Sequence, residues 1–196
     1  MTRDASSFDR LYRDLGDPWD YETSSYETDK YDRCLRLLSR PRYARALEIG
    51  CSIGVMSAAI AARSGHLLGI DFAPTAVARA RRRGIPNARF EVGSVPRDWP
   101  TGAWDLIVLS EVLYYLDAQA LERTIVRVAH SLARDGDCLV AGYTGDTDTQ
   151  LSARDVEEQL LAGLGALRPR HRIRRDAHPS WIAAVFTCHD DRLPEG

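Results

Sequence analysis

Lysine is all but missing from this chain of 196 residues: Lys30 is the one lysine among 26 basic residues, and every other is an arginine. So lopsided a choice is read as codon composition rather than physical requirement, and it makes the single lysine a position to follow. Cysteine is sparse too. Cys34, Cys51, Cys138 and Cys188 stand far apart with no C-x-x-C pair, which argues against a disulfide framework or a zinc knuckle and leaves reduced thiols as the default. No apolar run approaches the roughly 18 residues of a membrane span, and the opening MTRDASSFDR has neither the basic end nor the apolar stretch of a signal peptide. No membrane partner and a cytoplasmic location are therefore expected. Charge of one sign is lacking as well: a formal net charge of -2 gives no global pull toward nucleic acid. His171, His178 and His189 have no ligand-grade spacing to other donors, so no metal is expected.

What is present is an ordinary globular composition, 44% hydrophobic and 28% charged, at a length that fits one domain over 1–196 on the prior of roughly 100–200 residues each. Phe8, Leu11, Tyr12 and Leu15 carry the spacing of an amphipathic helix stopped by Gly16 and Pro18. A second helix starts at Ser24, which with Glu27 fits a capping box, and continues as a stripe of Tyr31, Cys34, Leu35 and Leu38. From Ala44 short apolar runs alternate with helical stretches: strands at 46–50, 67–71, 89–92, 105–110 and 138–143, helices at 55–64, 74–83 and 119–133. Gly65, Gly84 and Gly136 are read as helix stops. The tail adds a helix near 152–164 and strands at 170–175 and 181–188, whose short connection makes them antiparallel. The pattern predicts an α/β fold: a mostly parallel seven-stranded sheet with one reversed strand, helices on both faces, and residues 1–43 as a helical extension of a 44–188 core.

In such sheets ligands bind beyond the carboxyl ends of the strands, beside the first one. That strand runs A-L-E-I-G-C-S-I-G and ends at Gly50 and Gly54, where missing side chains permit a sharp turn and close approach. Ser52 stands where a dinucleotide fold needs its second glycine, and no Walker lysine follows. Asp71 closes the second strand at about the 20-residue offset at which an acid meets a ribose. Its competing reading is a turn or cap residue ahead of Phe72-Ala73-Pro74.

The ordered set A-L-E-I-G-C-S-I-G, G-I-D and D-L-I-V-L-S-E-V-L-Y-Y-L resembles the class I S-adenosylmethionine-dependent methyltransferases over about residues 44–188. The resemblance implies a Rossmann-like sheet and S-adenosyl-L-methionine as cofactor. It also implies that the loop from Glu48 through Gly50 and Cys51 to Gly54 cradles the amino-acid part, that Asp71 binds the ribose and that Phe72 flanks the adenine. D-P-W (17–19), S-x-Y-E-x-x-K-Y (24–31) and E-V-L-Y-Y-L (111–116) are similar to the NodS nodulation N-methyltransferases, with poor likeness in the tail. That family implies a small-molecule amine acceptor, an amino sugar or deacetylated chitooligosaccharide; a monomer or homodimer is expected, the sequence not deciding between them.

Ser94 stands where many family members place an aspartate for the adenine amino group, which leaves that contact to Ser94 or the backbone of Val95. The fourth strand ends at Ser110 and Glu111, facing the transferred methyl, without the N-P-P-Y of base methyltransferases. Glu111 is the candidate to orient the amine and receive its proton, with Tyr114 and Tyr115 shaping the sugar site. A helix cap and core aromatics are the bland readings of those three. The N-terminal helices are read as a lid in which Trp19, Tyr26, Lys30 and Tyr31 wall the site, or else as a pair packed for stability with Lys30 solvated. As a lid, Tyr26 and Lys30 meet the cofactor's carboxylate. Arg79, Arg81, Arg82 and Arg83 are read as a solvated helix end, and Arg170, Arg172 and Arg174 as an exposed edge-strand face. Asp146 and Asp148 leave the fifth strand at the binding edge, where they attract a cationic sugar or simply aid solubility. Methylation of a hydroxyl, cofactor binding without transfer, and RNA methylation through the 168–175 arginines stand as alternatives.

Overall fold

In the first helix, α1 (Ala5–Leu15), Phe8 and Tyr12 are buried as the periodicity requires, but Leu15 is 64% exposed. The chain turns away there at Gly16, so the last residue of the stripe has nothing to cover it. The computed structural model describes residues 5–189. The first four residues, part of the segment read for a signal peptide, and the last seven lie outside the described residues.

Helix α2 (Ser25–Arg36) is capped by the Ser24 hydroxyl, which accepts from the Glu27 N–H. The expected reciprocal half of the capping box does not form. The Ser24 N–H instead donates to the Asp20 carbonyl, and the Glu27 carboxylate turns inward to Lys30. The buried face of α2 consequently begins with Glu27 and Lys30 and becomes apolar only at Cys34 and Leu35.

The sheet comprises β1 (Tyr43–Ile49), β2 (Ser64–Asp71), β3 (Ala88–Val92), β4 (Trp104–Ser110), β5 (Leu132–Tyr143), β6 (His171–His178) and β7 (Trp181–Cys188), in the order β3-β2-β1-β4-β5-β7-β6. Strand β7 alone is reversed, antiparallel to both β5 and β6, as the short turn between the last two strands demands. Between the strands lie α3 (Val55–Ala61), α4 (Pro74–Arg82), a 3-10 turn at Leu113–Tyr115, α5 (Ala118–Ser131) and α6 (Ala153–Leu167). Of the three expected glycine stops only Gly84 follows a helix. Gly65 lies inside β2, where a Cβ would come 2.9 Å from the Ala44 carbonyl oxygen, and Gly136 lies inside β5.

Strand alternation divides the core into two apolar layers. On one face Leu106, Val108, Leu139 and Val185 meet Leu35 of α2 and Met56 and Ile60 of α3; on the other Ile107, Leu109, Val140 and Phe186 meet Leu121 and Val128 of α5 and Leu160 and Leu164 of α6. Each such side chain contributes about 1.5–3 kcal/mol on burial, which fixes register because a one-residue slip would exchange the faces. Below the sheet, at the end away from the strand termini that face the glycine loop, the fully buried Asp137 carboxylate accepts from the Ser39 N–H (2.6 Å), the Thr187 hydroxyl (2.6 Å) and the Tyr43 hydroxyl. It ties the chain after α2 to β1, β5 and β7.

The arginines do more than stay wet. Arg81 donates to the Phe90 carbonyl, and Arg83 to the Ile53 carbonyl and the Glu22 carboxylate, so the end of α4 holds both the glycine loop and the segment between α1 and α2. Strand β6 is an edge strand with Arg172 and Arg175 exposed, whereas Arg168 is buried and donates to the carbonyls of Ala129 and Leu132. No helix among the described residues is long and apolar enough to cross a membrane.

Candidate active site

Above the carboxyl ends of β1, β2, β4 and β5 lies a cavity of about 580 Å³, and beside it over β2 and β3 a smaller chamber of about 160 Å³. Gly50, Asp71, Phe72 and Tyr115 line both. Gly50 has φ +80°, and a Cβ there would come 2.8 Å from Val112 Cγ2, so both conformation and space exclude a side chain. Gly54 also has φ +80° but lines neither chamber; a Cβ there would come 3.1 Å from Ala80 of α4, so its missing side chain lets that helix pack close. Ser52, at φ +49°, donates its N–H to Asp71 Oδ2 (3.0 Å) and its hydroxyl meets the Tyr12 hydroxyl at 2.7 Å.

Asp71 is the turn residue of the second reading, and it also lies where the first would need it. Its Oδ1 accepts from the Ala73 N–H at 2.9 Å, holding the turn before α4, while the carboxylate borders both chambers. Burial raises its pKa to about 6, against the pull of the Ala73 and Ser52 N–H groups. Glu48, 2% exposed, accepts from the Ser57 hydroxyl, and burial pushes it up to about 8. Cys51 and Ser110 line the large cavity, and Ser94 and Val95 the smaller one. The Ser94 N–H donates to Asp98 at 2.9 Å.

Glu111 takes φ +57°, which turns its side chain back over β5 and into the cavity. Its Oε1 accepts from Lys30 Nζ at 2.8 Å; its Oε2 accepts from the Tyr143 N–H at 2.9 Å and from the Tyr114 hydroxyl. It is not a helix cap. Tyr114 is buried in the core, as the structural reading expects, and also lines the large cavity; burial and Glu111 raise it well above an ordinary phenol. Tyr115 packs edge-on to Phe8 at 5.1 Å.

The N-terminal helices form the roof. Trp19, Tyr26, Lys30 and Tyr31 all line the large cavity, as expected. Lys30, however, is neither solvated nor turned with Tyr26 to an open carboxylate site: it is 2% exposed and lies between Glu27 and Glu111. Asp9 of α1 accepts from the Thr75 N–H at 2.8 Å, supplying the N-terminal cap that α4 lacks. Tyr26 bonds Ser180 at 2.9 Å, and Arg33 grips Asp176 through two nitrogens at 2.8 and 2.6 Å, so α2 is fastened to the β6–β7 hairpin.

Phe8, Tyr12, Tyr21 and Glu27 line the cavity without having been anticipated, as do Tyr143, Thr147 and Thr149 on the far wall beside Asp146 and Asp148. Phe8, Tyr12 and Tyr21 each contact Trp19, with ring centroids 6.0, 5.6 and 5.7 Å apart. Their signal was the density of aromatics between positions 8 and 31. Among the described residues no group of histidine, cysteine and carboxylate side chains has a metal-holding arrangement.

The model of the family Nodulation protein S (NodS) matches residues 4–151, leaving α6 and the β6–β7 hairpin beyond the match. Nodulation protein S of Sinorhizobium fredii is 32% identical over 148 residues, which is 73% of this chain and 68% of that protein. The Bradyrhizobium diazoefficiens protein of the same name is 34% identical over 152 residues, 74% of this chain and 72% of that one. The crystal structure of the N-methyltransferase NodS from Bradyrhizobium japonicum WM9, in complex with S-adenosyl-L-homocysteine, superposes with a TM-score of 0.78 at 23% identity, covering 98% of this chain and 100% of that chain. The fold thus continues through the tail where the sequence likeness stops, and the chain belongs to the NodS family of S-adenosylmethionine-dependent methyltransferases.

Proposed function

We propose that this enzyme transfers a methyl group from S-adenosyl-L-methionine to the amine of a small amino sugar or deacetylated chitooligosaccharide. The observation that carries this reading is the charge of the cavity wall: Glu27, Asp71, Glu111, Asp146 and Asp148 line it beside a Glu48 that burial keeps largely protonated, with Lys30 as the one basic side chain of the lining among the described residues. A cationic acceptor gains from that wall, whereas a neutral hydroxyl acceptor does not.

The residues present fit the cofactor. Asp71 keeps acceptor capacity for ribose hydroxyls beyond its two backbone bonds. Glu48 and the aromatic roof suit a group carrying positive charge, and Ile49, Ile70, Phe72 and Val95 give the smaller chamber the apolar walls a flat heterocycle needs. Gly50 and Cys51 leave room at the loop, with Ser94 at the rim and Ser110 below. When bound, the cofactor supplies an electrophilic methyl. The protein must then hold an amine in line with it, where proximity contributes about 7–11 kcal/mol, and must take up the amine's proton.

Glu111 is suited to the proton. A carboxylate offers about four acceptor sites, and Tyr143, Tyr114 and Lys30 occupy three, leaving one on Oε1 for a substrate amine. Tyr114 and Tyr115 bound the space in which the sugar ring would lie. The test is incubation with S-adenosyl-L-methionine and two sets of chitooligosaccharides, with the non-reducing-end amine free or acetylated, read by mass spectrometry. Added methyl on the free-amine set alone supports the reading; methylation of both sets, or of neither while cofactor still binds, overturns it.

A further inference from the structure

We propose that Lys30 is a positioning residue for Glu111, and that Glu27 in turn holds Lys30, so that a buried carboxylate–ammonium–carboxylate chain aims the proton acceptor at the substrate amine. The inference rests on the role of Glu111 given above. The ammonium lies 2.8 Å from Glu111 Oε1 and 2.8 and 3.0 Å from the two oxygens of Glu27. The rings of Tyr26 and Tyr31 stand 5.6 and 5.7 Å from it, within the range of a cation–π contact. With Tyr114 and the Tyr143 N–H fixing Oε2, Lys30 is, among the described residues, the group that fixes the direction of the open acceptor site on Oε1.

The residue type fits the task. A compact ammonium with rotatable donors sits between the Glu27 carboxylate, one turn back on its own helix, and the Glu111 carboxylate at the end of β4, where a planar guanidinium is bulkier and spreads its donors in a fixed fork. In a chain that uses arginine at every other basic position, this is the place where lysine stands.

Charge supports the same conclusion. Burial by itself lowers the Lys30 pKa, but Glu111 and Glu27 together outweigh it and favour the charged ammonium. The other titratable groups around the chain are Tyr21, Tyr31 and Tyr114, Cys34 and Glu48; the phenols and the thiol are all pushed up by burial and stay neutral. Glu48 is itself raised to about 8 by burial. Without Lys30, Glu27 and Glu111 would face each other with no cation between them, an arrangement that favours proton uptake by a carboxylate at higher pH.

The single lysine makes the test direct. Protein labelled with carbon-13 at lysine Cε gives one side-chain lysine signal, from Lys30. It is expected to shift as Glu111 takes up a proton on acidification, and that step is expected to vanish in Glu111→Gln. A signal that titrates identically in both proteins overturns the proposal. This arm needs no acceptor, so it stands even if the amino-sugar reading fails. The kinetic arm uses Lys30→Met, Lys30→Arg and Glu27→Gln with whichever acceptor is methylated. Lys30→Met should lower kcat by roughly 10–100-fold with cofactor affinity retained, and raise the acidic limb of kcat/KM by about one pH unit or more. Lys30→Arg should restore the limb, though not the full kcat, and Glu27→Gln should lie between. An unmoved limb in Lys30→Met, or a loss confined to cofactor affinity, contradicts the positioning role.

Discussion

Asp71 and Glu48 are the residues at which burial and the proposed cofactor contacts pull in opposite directions. Both are acids raised above the ordinary carboxylate range, to about 6 and about 8, because burial disfavours their charged forms. The folded state therefore holds these protons more tightly than the unfolded one. The stability they contribute is complete below the unfolded carboxylate range and is lost as pH rises through about 6 for Asp71 and about 8 for Glu48. Thermal melting of the ligand-free enzyme should thus show stability declining over this range, with Glu48→Gln flattening its upper part. A positively charged cofactor reverses the balance, so its binding near neutral pH should release protons, measurable by calorimetry in buffers of different ionisation enthalpy. Asp71→Ala should weaken cofactor binding by roughly 10–100-fold, since hydrogen bonds to a charged group contribute about 1.5–3 kcal/mol each. Unchanged affinity would remove Asp71 from the ribose role. The sequence spacing marked Asp71 and Gly50 correctly as neighbours of the cavity. It could not separate Gly54 from them, because whether a glycine faces a ligand or a neighbouring helix depends on α4, which approaches from elsewhere in the chain.

At the scale of elements, the roof is the part that pattern alone left undecided. Periodicity gave α1 and α2 their apolar stripes, and a packed pair or a lid fits such stripes equally well. What fastens them is polar and distant in sequence: Asp9 to Thr75, Tyr12 to Ser52, Glu22 to Arg83, and Arg33 to Asp176. The first is a helix cap supplied from another helix, and loss of a cap costs about 0.5–2 kcal/mol. Asp9→Ala should lower stability by that amount, read by urea unfolding. It should also weaken cofactor binding if α1 serves as a roof, whereas a stability loss with untouched affinity would limit α1 to packing. The same reasoning explains the misread capping box. Ser-x-x-Glu was present, but Lys30 on the next turn offered the Glu27 carboxylate a charged partner in place of a backbone N–H.

For the whole molecule, the β/α alternation, the seven strands and the one reversed strand follow from short apolar runs and the turn between the last two strands, which is why they were legible. Strand ends were less so: β1, β2 and β5 begin earlier than their apolar runs, because backbone pairing extends past the buried stretch. Asp137 was invisible to pattern, a carboxylate whose partners lie before β1, within β1 and on β7. Asp137→Ala would strand those buried donors and should cost about 3 kcal/mol or more, at about 1–3 kcal/mol for each group left unsatisfied. Denaturant unfolding measures this, and the surviving folded fraction should bind cofactor normally, since Asp137 sits toward the opposite end of the strands from the cavity.

Glu111, held by Lys30, Tyr114 and the Tyr143 backbone, is the proposed acceptor of the amine's proton. Its most direct test is the turnover of Glu111→Gln on a free-amine acceptor, with cofactor affinity measured on the same preparation. The account predicts a fall in kcat of roughly 10²–10⁴-fold with cofactor binding intact, the range that general-base assistance contributes. A variant that methylates the amine at the wild-type rate would contradict it.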